Sequence, residues 1–356
     1  MGSVKDLTVI EEPTETKLGR GIFDFSDRYS VFDWGEMPDH IPYKGAALCM
    51  MAAWNFESLE ELGIPTHYIG VLNNGYVVKT TQLDKPSNRM AIKLSRVIKP
   101  SFIDGRYSYD FFISGRGKIN NFVVPLEVIY RRGVPEGSSL LKLFNQLEKS
   151  GDMDGLTSLL SKYGLKEKPK PGDEFPKIGY DFTTKFESSD RRLTDEEAYL
   201  ISGLSEHHFT GLEDVRNYVS SFVASRAKKV GLVDFDGKHE YIFSDGVMLA
   251  DVVGTLDEDR FMINGEQVSK EILRQVYKRF NSGWYNALEE AKAKARENGI
   301  DNWKDLVSVR PNPLGPNLVK LVGEMYAAGA DRYTGLNLFK KRPLENIMED
   351  LRPYTK

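Results

Sequence analysis

Cysteine is almost absent from this chain. Of 356 residues only Cys49 is a cysteine, which rules out an internal disulfide and any cluster of cysteine ligands around a metal. Histidine is scarce as well: His40, His67, His207, His208 and His239 do not fall at metal-ligand spacings. No apolar run approaches the length needed to cross a bilayer. An excess of positive charge is missing too. The formal net charge is −4, so no overall basic field draws the chain to nucleic acid. Neither a G-x-x-x-x-G-K-[ST] phosphate loop nor a G-x-S-x-G nucleophile turn occurs. The start, MGSVKDLTVIEEPTETK, is polar and acidic with no apolar signal core; Met1-Gly2-Ser3 begins like a myristoylation site, but position 6 is Asp. These absences predict a cytoplasmic protein that engages neither nucleic acid nor membrane. A homo-oligomer stays open.

What is present fits a globular chain of two or three lobes: 40% hydrophobic and 28% charged residues. Residues 1–17 read as a loose lead-in. Residues 18–34 alternate apolar and polar around two glycines and predict short strands about a turn. Ala46 to Leu62 is the clearest helix, with Leu48, Met51, Ala52, Phe56, Leu59 and Leu62 on one face. Gly63 and Pro65 stop it. His67 to Phe112 reads as β-rich, with turns at Asn73-Asn74-Gly75 and Asp104-Gly105. FVVPLEVIY, 122–130, is an apolar strand. Residues 139–172 hold two helical stretches and the linker KEKPKPGDE, the best internal boundary. Thr194 with Glu197 forms a capping box. A helix over 212–229, strands over 231–243 and 246–254 joined by Ser244-Asp245-Gly246, and a helix over 268–280 follow. The rest is mainly helical, with Trp284 and Trp303 assigned to the core.

The segment 236–260 carries the most chemistry. Strand alternation places Asp236, Lys238 and Glu240 on one face. Asp251 stands inside VMLADVV, where a lone carboxylate is costly to bury without a partner. Glu240 and Asp251, from adjacent strands, suit a Mg²⁺ ion shared with nucleotide phosphates. A solvated strand face accounts for Asp236, Lys238 and Glu240 about as well. A second group is PLEVIYRRGVPEGSS, 125–139, in which a strand ends in Arg131 and Arg132 and a loop follows with Gly137, Ser138 and Ser139. Arginine forks and loop N–H groups can hold a phosphate, although a surface hairpin also fits. Lys185 after Thr183-Thr184, with Glu187 and Asp190 beyond, could meet a phosphate or carboxylate; an exposed polar loop is the simpler reading. Lys44-Gly45 opens the first helix, where an anion would find unpaired N–H groups; a plain loop-to-helix junction is the alternative.

Taken in order, these pieces resemble the SAICAR synthetase (phosphoribosylaminoimidazole-succinocarboxamide synthase) family. Its D-x-K-x-E pattern is similar to Asp236-Gly237-Lys238-His239-Glu240, and its D-E-x-x-x-P-D-x-x-R strand to Asp251 through Asp257 to Arg260. Further matches are Pro125 to Ser138, Thr183-Thr184-Lys185, Asp27-Arg28-Tyr29-Ser30, Ile41 to Gly45 and Glu60 to His67. The resemblance implies an α+β fold: a β-rich N-terminal lobe, 18–125, and a larger α+β lobe, 126–280, with an ATP cleft between them. The larger lobe would carry an insertion over 139–177, and 281–356 would be a helical C-terminal extension. The resemblance also implies a reaction: ATP, L-aspartate and the carboxylate of a phosphoribosyl aminoimidazole (CAIR) give the succinocarboxamide, ADP and phosphate, through an acyl phosphate. Carried over by position, Glu240 and Asp251 hold Mg²⁺ and ATP, and Lys238, Glu240 and Asp251 form the catalytic set. Lys185 meets ATP, as do Lys17 and Arg20 if Lys17-Leu18-Gly19-Arg20-Gly21 is the altered phosphate loop. Arg131 or Arg132, Ser138, Asp190, Lys238, Asp257 and Arg260 hold the phosphoribosyl substrate. Val252 replaces the family's Glu after Asp251, which keeps open a ligase for another carboxylate or amine, or a nucleotide-binding homologue without catalysis.

Overall fold

The computed structural model describes residues 4–103, 105–300 and 302–355; Met1-Gly2-Ser3 and Asp104 of the predicted turn lie outside them. The first strands, β1 (Lys5–Glu11) and β2 (Gly19–Phe25), are followed by the helix α1 (Lys44–Glu61), then β3 (Tyr68–Asn73), β4 (Tyr76–Val78) and β5 (Arg89–Leu94). They form one five-stranded antiparallel sheet in the order β1-β2-β5-β3-β4. Part of the lead-in expected over 1–17, Lys5–Glu11, is therefore an edge strand, because β2 offers it a ladder. Only the first half of 18–34 is strand. After Phe25 the chain turns through Phe32 and Asp33, both with positive φ, and this breaks the extended run.

α1 lies between this sheet and a C-terminal helix, so it is buried nearly all round rather than on one stripe: Cys49, Met50, Ala53 and Asn55 are as buried as Leu48 and Phe56. Leu62, placed on the inner face by spacing, is the exposed C-cap. A small hairpin, β6 (Ser101–Ile103) and β7 (Arg106–Ser108), and a short helix α2 (Asp110–Ser114) lead out of the lobe.

The second sheet is built from β8 (Phe122–Val123), β9 (Leu126–Gly133), β10 (Glu174–Thr184), β11 (Arg192–Leu193), β12 (Val233–Phe243), β13 (Val247–Ala250), β14 (Arg260–Ile263) and β15 (Glu266–Val268). Its spine runs β11-β10-β9-β12-β14-β15, with β8 and β13 pairing to β12. The expected strand over 246–254 stops early because Asp251 adopts the left-handed conformation, φ 64°. Between β9 and β10 the chain makes α3 (Ser139–Ser150) and α4 (Met153–Tyr163), whose Leu140, Phe144, Leu159 and Tyr163 form a small core of their own. The KEKPKPGDE linker does not separate two domains. It leads back into β10, the direct neighbour of β9, and Val134 and Gly172–Asp173 exchange backbone hydrogen bonds across the return.

α5 (Asp195–Ile201) carries the Thr194–Glu197 capping box, and α6 (Glu206–Lys229) packs on β12. α7 (Glu271–Phe280), α8 (Ser282–Asn298), α9 (Pro316–Thr334) and α10 (Leu344–Thr355) complete the chain. α9 packs along α1, and α10 along α9 and α7. The C-terminal helices thus share one hydrophobic core with the N-terminal sheet, running from Phe25 to Leu351 and including Trp284, with Trp303 packed against it.

Candidate active site

Strand alternation builds the site. On β12, Asp236, Lys238 and Glu240 share a face; in register beside them, β9 offers Glu127 and Arg131, and β10 offers Asp181 and Thr183. Lys185 follows directly after β10. The opposite face of the same strands, with Val128, Tyr130 and Arg132, turns toward α6, where Arg132 donates to Ser221. Arg131 is thereby the arginine on the cleft side, and Arg132 is not.

Lys238 Nζ donates to Glu127 and Glu240 at 2.8 Å each and lies 3.5 Å from Glu258. Lys185 donates to the other oxygen of Glu240. Burial alone would raise the Glu240 pKa, but Lys238 and Lys185 outweigh it and hold the carboxyl below its usual range. The same carboxylates keep both lysines above theirs, against the effect of burial. Asp190 reaches the cluster electrostatically; burial raises its pKa, with Lys238 opposing.

Asp251 follows the strand paired to this one, Ala250 standing opposite Glu240. Its carboxylate accepts from Lys5 of β1. Lys185, Glu240 and Asp251 line one end of a cavity of about 370 Å³. The walls are Leu7, Val9 and Phe23 from the small sheet, Ile92 and Leu94 from β5, and Ile242 and Ala250 opposite. Apolar walls with a charged end suit a flat base carrying phosphates. Linked to Glu240 and Asp251 are the carboxylates Glu127 and Glu258 and the ammonium groups of Lys5, Lys185 and Lys238, and Lys93 also lines the cavity. Glu240 and Asp251, bordering the same cavity, could hold a divalent cation that takes its remaining ligands from phosphate and water. Among the described residues no group of three or more His, Cys, Asp or Glu forms a metal cage.

Further along the sheet Arg131 bonds Asp181 at 3.1 Å, Asp236 at 3.3 Å and Ser139 at 3.2 Å, with Ser138 at 3.5 Å. Arg260 grips Asp236 with two bonds of 2.8 and 2.6 Å. From Glu240 to Asp236 is about 13 Å of extended strand, enough to separate a nucleotide's phosphates from a second anion.

Three sequence expectations fall elsewhere. Lys17 and Arg20 both pair with Glu11 on the outer surface and do not border the cavity; Arg20 follows Gly19 on β2 and points to the other side of the sheet. The N-terminal lysine that pairs with a residue of the cleft is Lys5, through Asp251, which a reading of 1–17 as a loose lead-in does not single out. Asp257 is sealed off, 4% exposed, holding Lys44 at 2.7 Å and accepting from Tyr326 at 2.7 Å. The start of α1 likewise has no opening for a ligand anion, because Gly45 N–H donates to Asp27 and Lys44 is fully buried against Asp257. The anions there are the protein's own. Gly237 completes the D-G-K-x-E run for a steric reason: a Cβ at this position would stand 2.0 Å from Asp259 Oδ1 and 2.6 Å from the Tyr130 ring.

The SAICAR synthetase family model matches residues 2–291. A protein of Archaeoglobus fulgidus, provisionally described as a phosphoribosylaminoimidazole-succinocarboxamide synthase, is 41% identical over 354 residues, 99% of each chain. The Thermoplasma acidophilum phosphoribosylaminoimidazole-succinocarboxamide synthase is 27% identical over 88% of this chain and 92% of its own. Among solved structures, the Saccharomyces cerevisiae SAICAR synthase complexed with SAICAR superposes with a TM-score of 0.58 at 19% identity, covering 94% of this chain and 93% of its own. A SAICAR synthetase in complex with ADP gives 0.53 at 20% identity, over 77% and 88%. These structural likenesses concern the fold.

Proposed function

This chain belongs to the SAICAR synthetase family, and from that premise and the cleft we infer that it joins L-aspartate to the carboxylate of CAIR at the expense of ATP. The observation that carries the reading is the pairing of Glu240 and Asp251 at the charged end of an apolar cavity, each already holding a lysine. A carboxylate is a poor acyl donor. Attack of a CAIR carboxylate oxygen on the γ-phosphorus of ATP forms an acyl phosphate and releases ADP. The aspartate amine then attacks the acyl carbon, the amide bond forms, phosphate leaves with the C–O bond electrons, and the nitrogen gives up its proton to the departing phosphate.

The protein's share is positioning and charge neutralisation. The apolar walls exclude water around the base. Lys185 and Lys5 are placed to turn from Glu240 and Asp251 to phosphate oxygens once a cation takes up those carboxylates. Lys238, held by Glu127, Glu240 and Glu258, faces the transferring group. Arg131, Arg260 and Ser138 hold the ribotide phosphate, and Asp190 borders the substrate. Magnesium bound with ATP would sit on Glu240 and Asp251 and supply charge neutralisation at the phosphates.

A coupled assay for ADP release tests this. Turnover that requires CAIR, aspartate, ATP and magnesium together is expected; no turnover with all four present would overturn the reading. Val252 favours a second reading, since a buried valine follows Asp251 where the family has Glu. ADP release with a different carboxylate or amine, and none with CAIR and aspartate, would select it.

A further inference from the structure

Asp251 sits in a turn that is held from behind. The residue is left-handed, φ 64°, and so is Gly254 three positions on, φ 63°. A left-handed aspartate is uncommon and persists only where its surroundings fix it. Here they grip the turn at both ends. Before Asp251, the Leu249 N–H donates to Pro65 and the Leu249 carbonyl accepts from the His67 N–H, each at 3.0 Å. After it, the Asn55 amide donates to the carbonyls of Val253 at 2.8 Å and Gly254 at 3.3 Å.

Asn55 lies on α1 and is fully buried. Its Oδ1 accepts from the Tyr333 hydroxyl at 3.0 Å. The two turn carbonyls can only accept, so the amide's NH₂ end must face them and its oxygen must face Tyr333. Tyr333 belongs to α9, in the C-terminal extension, and is also fully buried. Arg226 fastens it by donating to its carbonyl at 2.6 Å, and its ring packs edge-on to Trp54 and against Phe261. Gly254 has no room for a side chain: a Cβ there would run into the Asn55 amide and the Tyr333 hydroxyl. Neither Asn55 nor Tyr333 lines the cavity that Asp251 borders. One buried chain of bonds thus runs from the C-terminal extension, through α1, to backbone two positions beyond the Asp251 carboxylate.

We propose that Asn55 and Tyr333 are positioning residues for the divalent cation, setting the 251–254 turn so that the Asp251 carboxylate meets the metal of the nucleotide site. This role presupposes Glu240 and Asp251 as the cation's ligands, and it makes the C-terminal helix α9 part of what loads the metal. Side chains that served packing alone would stabilise the fold and leave metal affinity untouched.

Manganese is the probe, titrated into the full-length protein at saturating ADP with free Mn²⁺ followed by electron paramagnetic resonance. Tyr333→Phe removes one hydroxyl and keeps the ring. It should weaken Mn²⁺ about fivefold, the effect of one lost hydrogen bond. Asn55→Ala removes both bonds to the turn and should weaken it further. The double variant should match Asn55→Ala, because Tyr333 acts through Asn55. In turnover, Tyr333→Phe should raise the magnesium concentration needed for half-maximal rate, leave KM for the ribotide in place, and regain the wild-type kcat at high magnesium. Thermal melts report the fold separately, and Tyr333→Phe decides alone if Asn55→Ala does not fold. Wild-type manganese affinity in Tyr333→Phe, whatever its melting temperature, would overturn the proposal. The stated loss of manganese affinity in a protein that does not turn over CAIR and aspartate would instead remove the assigned reaction and leave the positioning role standing.

Discussion

Lys5, in the first strand, donates to Asp251, 246 positions later in the chain, and so fastens the edge of the small sheet to the floor of the cleft. The Lys5 side chain is 15% exposed, and its strand neighbours Leu7 and Val9 line the apolar cavity. Lys5→Met should weaken ADP binding about tenfold, the effect of one charge-assisted contact. Isothermal titration at constant ionic strength measures it. Unchanged affinity would show that Lys5 only braces Asp251.

Asp251→Asn keeps the size of the side chain and removes its charge. Turnover should fall by at least about a hundredfold with the melting temperature little changed, because a magnesium ligand is lost while the hydrogen-bonding shape remains. Steady-state ADP release with a parallel thermal melt separates the two. A near-wild-type rate would place the cation elsewhere.

The strand faces were legible in the sequence for a simple reason: period-two alternation fixes which residues share a side, whatever the neighbours. That rule alone brought Asp236, Lys238 and Glu240 together, and it separates Arg131 from Arg132 once register is known. What sequence could not reveal depends on long-range pairing. Nothing in KDLTVIE announces a strand until β2 offers a ladder, so Lys5 stayed invisible and the less apt Lys17 and Arg20 stood in for it. Asp257 kept the spacing expected of a substrate contact, yet its partners Lys44 and Tyr326 arrive from helices 213 and 69 positions away.

The Lys44–Asp257 pair makes an acid-sensitive lock between α1 and the site loop. Burial would raise the Asp257 pKa, but Lys44 and Lys270 reverse this and bring it to about 2, from an ordinary 3.8. Burial also pulls Lys44 down, yet with two cations beside it the carboxylate sets the acid limb. A depressed carboxylate stabilises the fold above its unfolded pKa and loses that contribution as pH falls through the folded one. Asp257 should therefore contribute about 2 kcal/mol at neutral pH, lost between about pH 4 and pH 2. Lys44→Met, which strands Asp257, should cost about 3–5 kcal/mol. Urea unfolding midpoints of both proteins from pH 6 to pH 2.5 measure this. A variant as stable as wild type at pH 6 would contradict the account.

Behind the cleft lies a group of opposite sign behaviour. The Tyr130 hydroxyl is 2.9 Å from Asp234 and 2.6 Å from Asp259. One phenol hydrogen cannot serve two carboxylates, so one acid must carry a proton. Burial raises Asp259 to about 8, against the Tyr130 hydrogen bond and with Glu258 adding to it; burial and Asp259 raise Asp234 as well. A raised carboxylic acid stabilises the fold while protonated, fully below its unfolded pKa near 3.8, and the benefit is lost as pH rises toward 8. Asp259→Asn keeps the acceptor for Thr255 N–H and the shape without the charge. Its melting temperature should gain on wild type from about pH 4 to about pH 8 and level off above that. A gap that does not change with pH would contradict the shared proton.

The account turns on Glu240 and Asp251 gripping one divalent ion with the nucleotide. A crystal structure with ADP and Mn²⁺, read by anomalous scattering, tests this most directly. The account predicts a manganese peak bridging both carboxylates and the diphosphate, with Lys185 and Lys5 turned onto phosphate oxygens and the base between Leu7, Phe23 and Ile242. A nucleotide bound outside that cavity, or manganese that touches neither Glu240 nor Asp251, would contradict it.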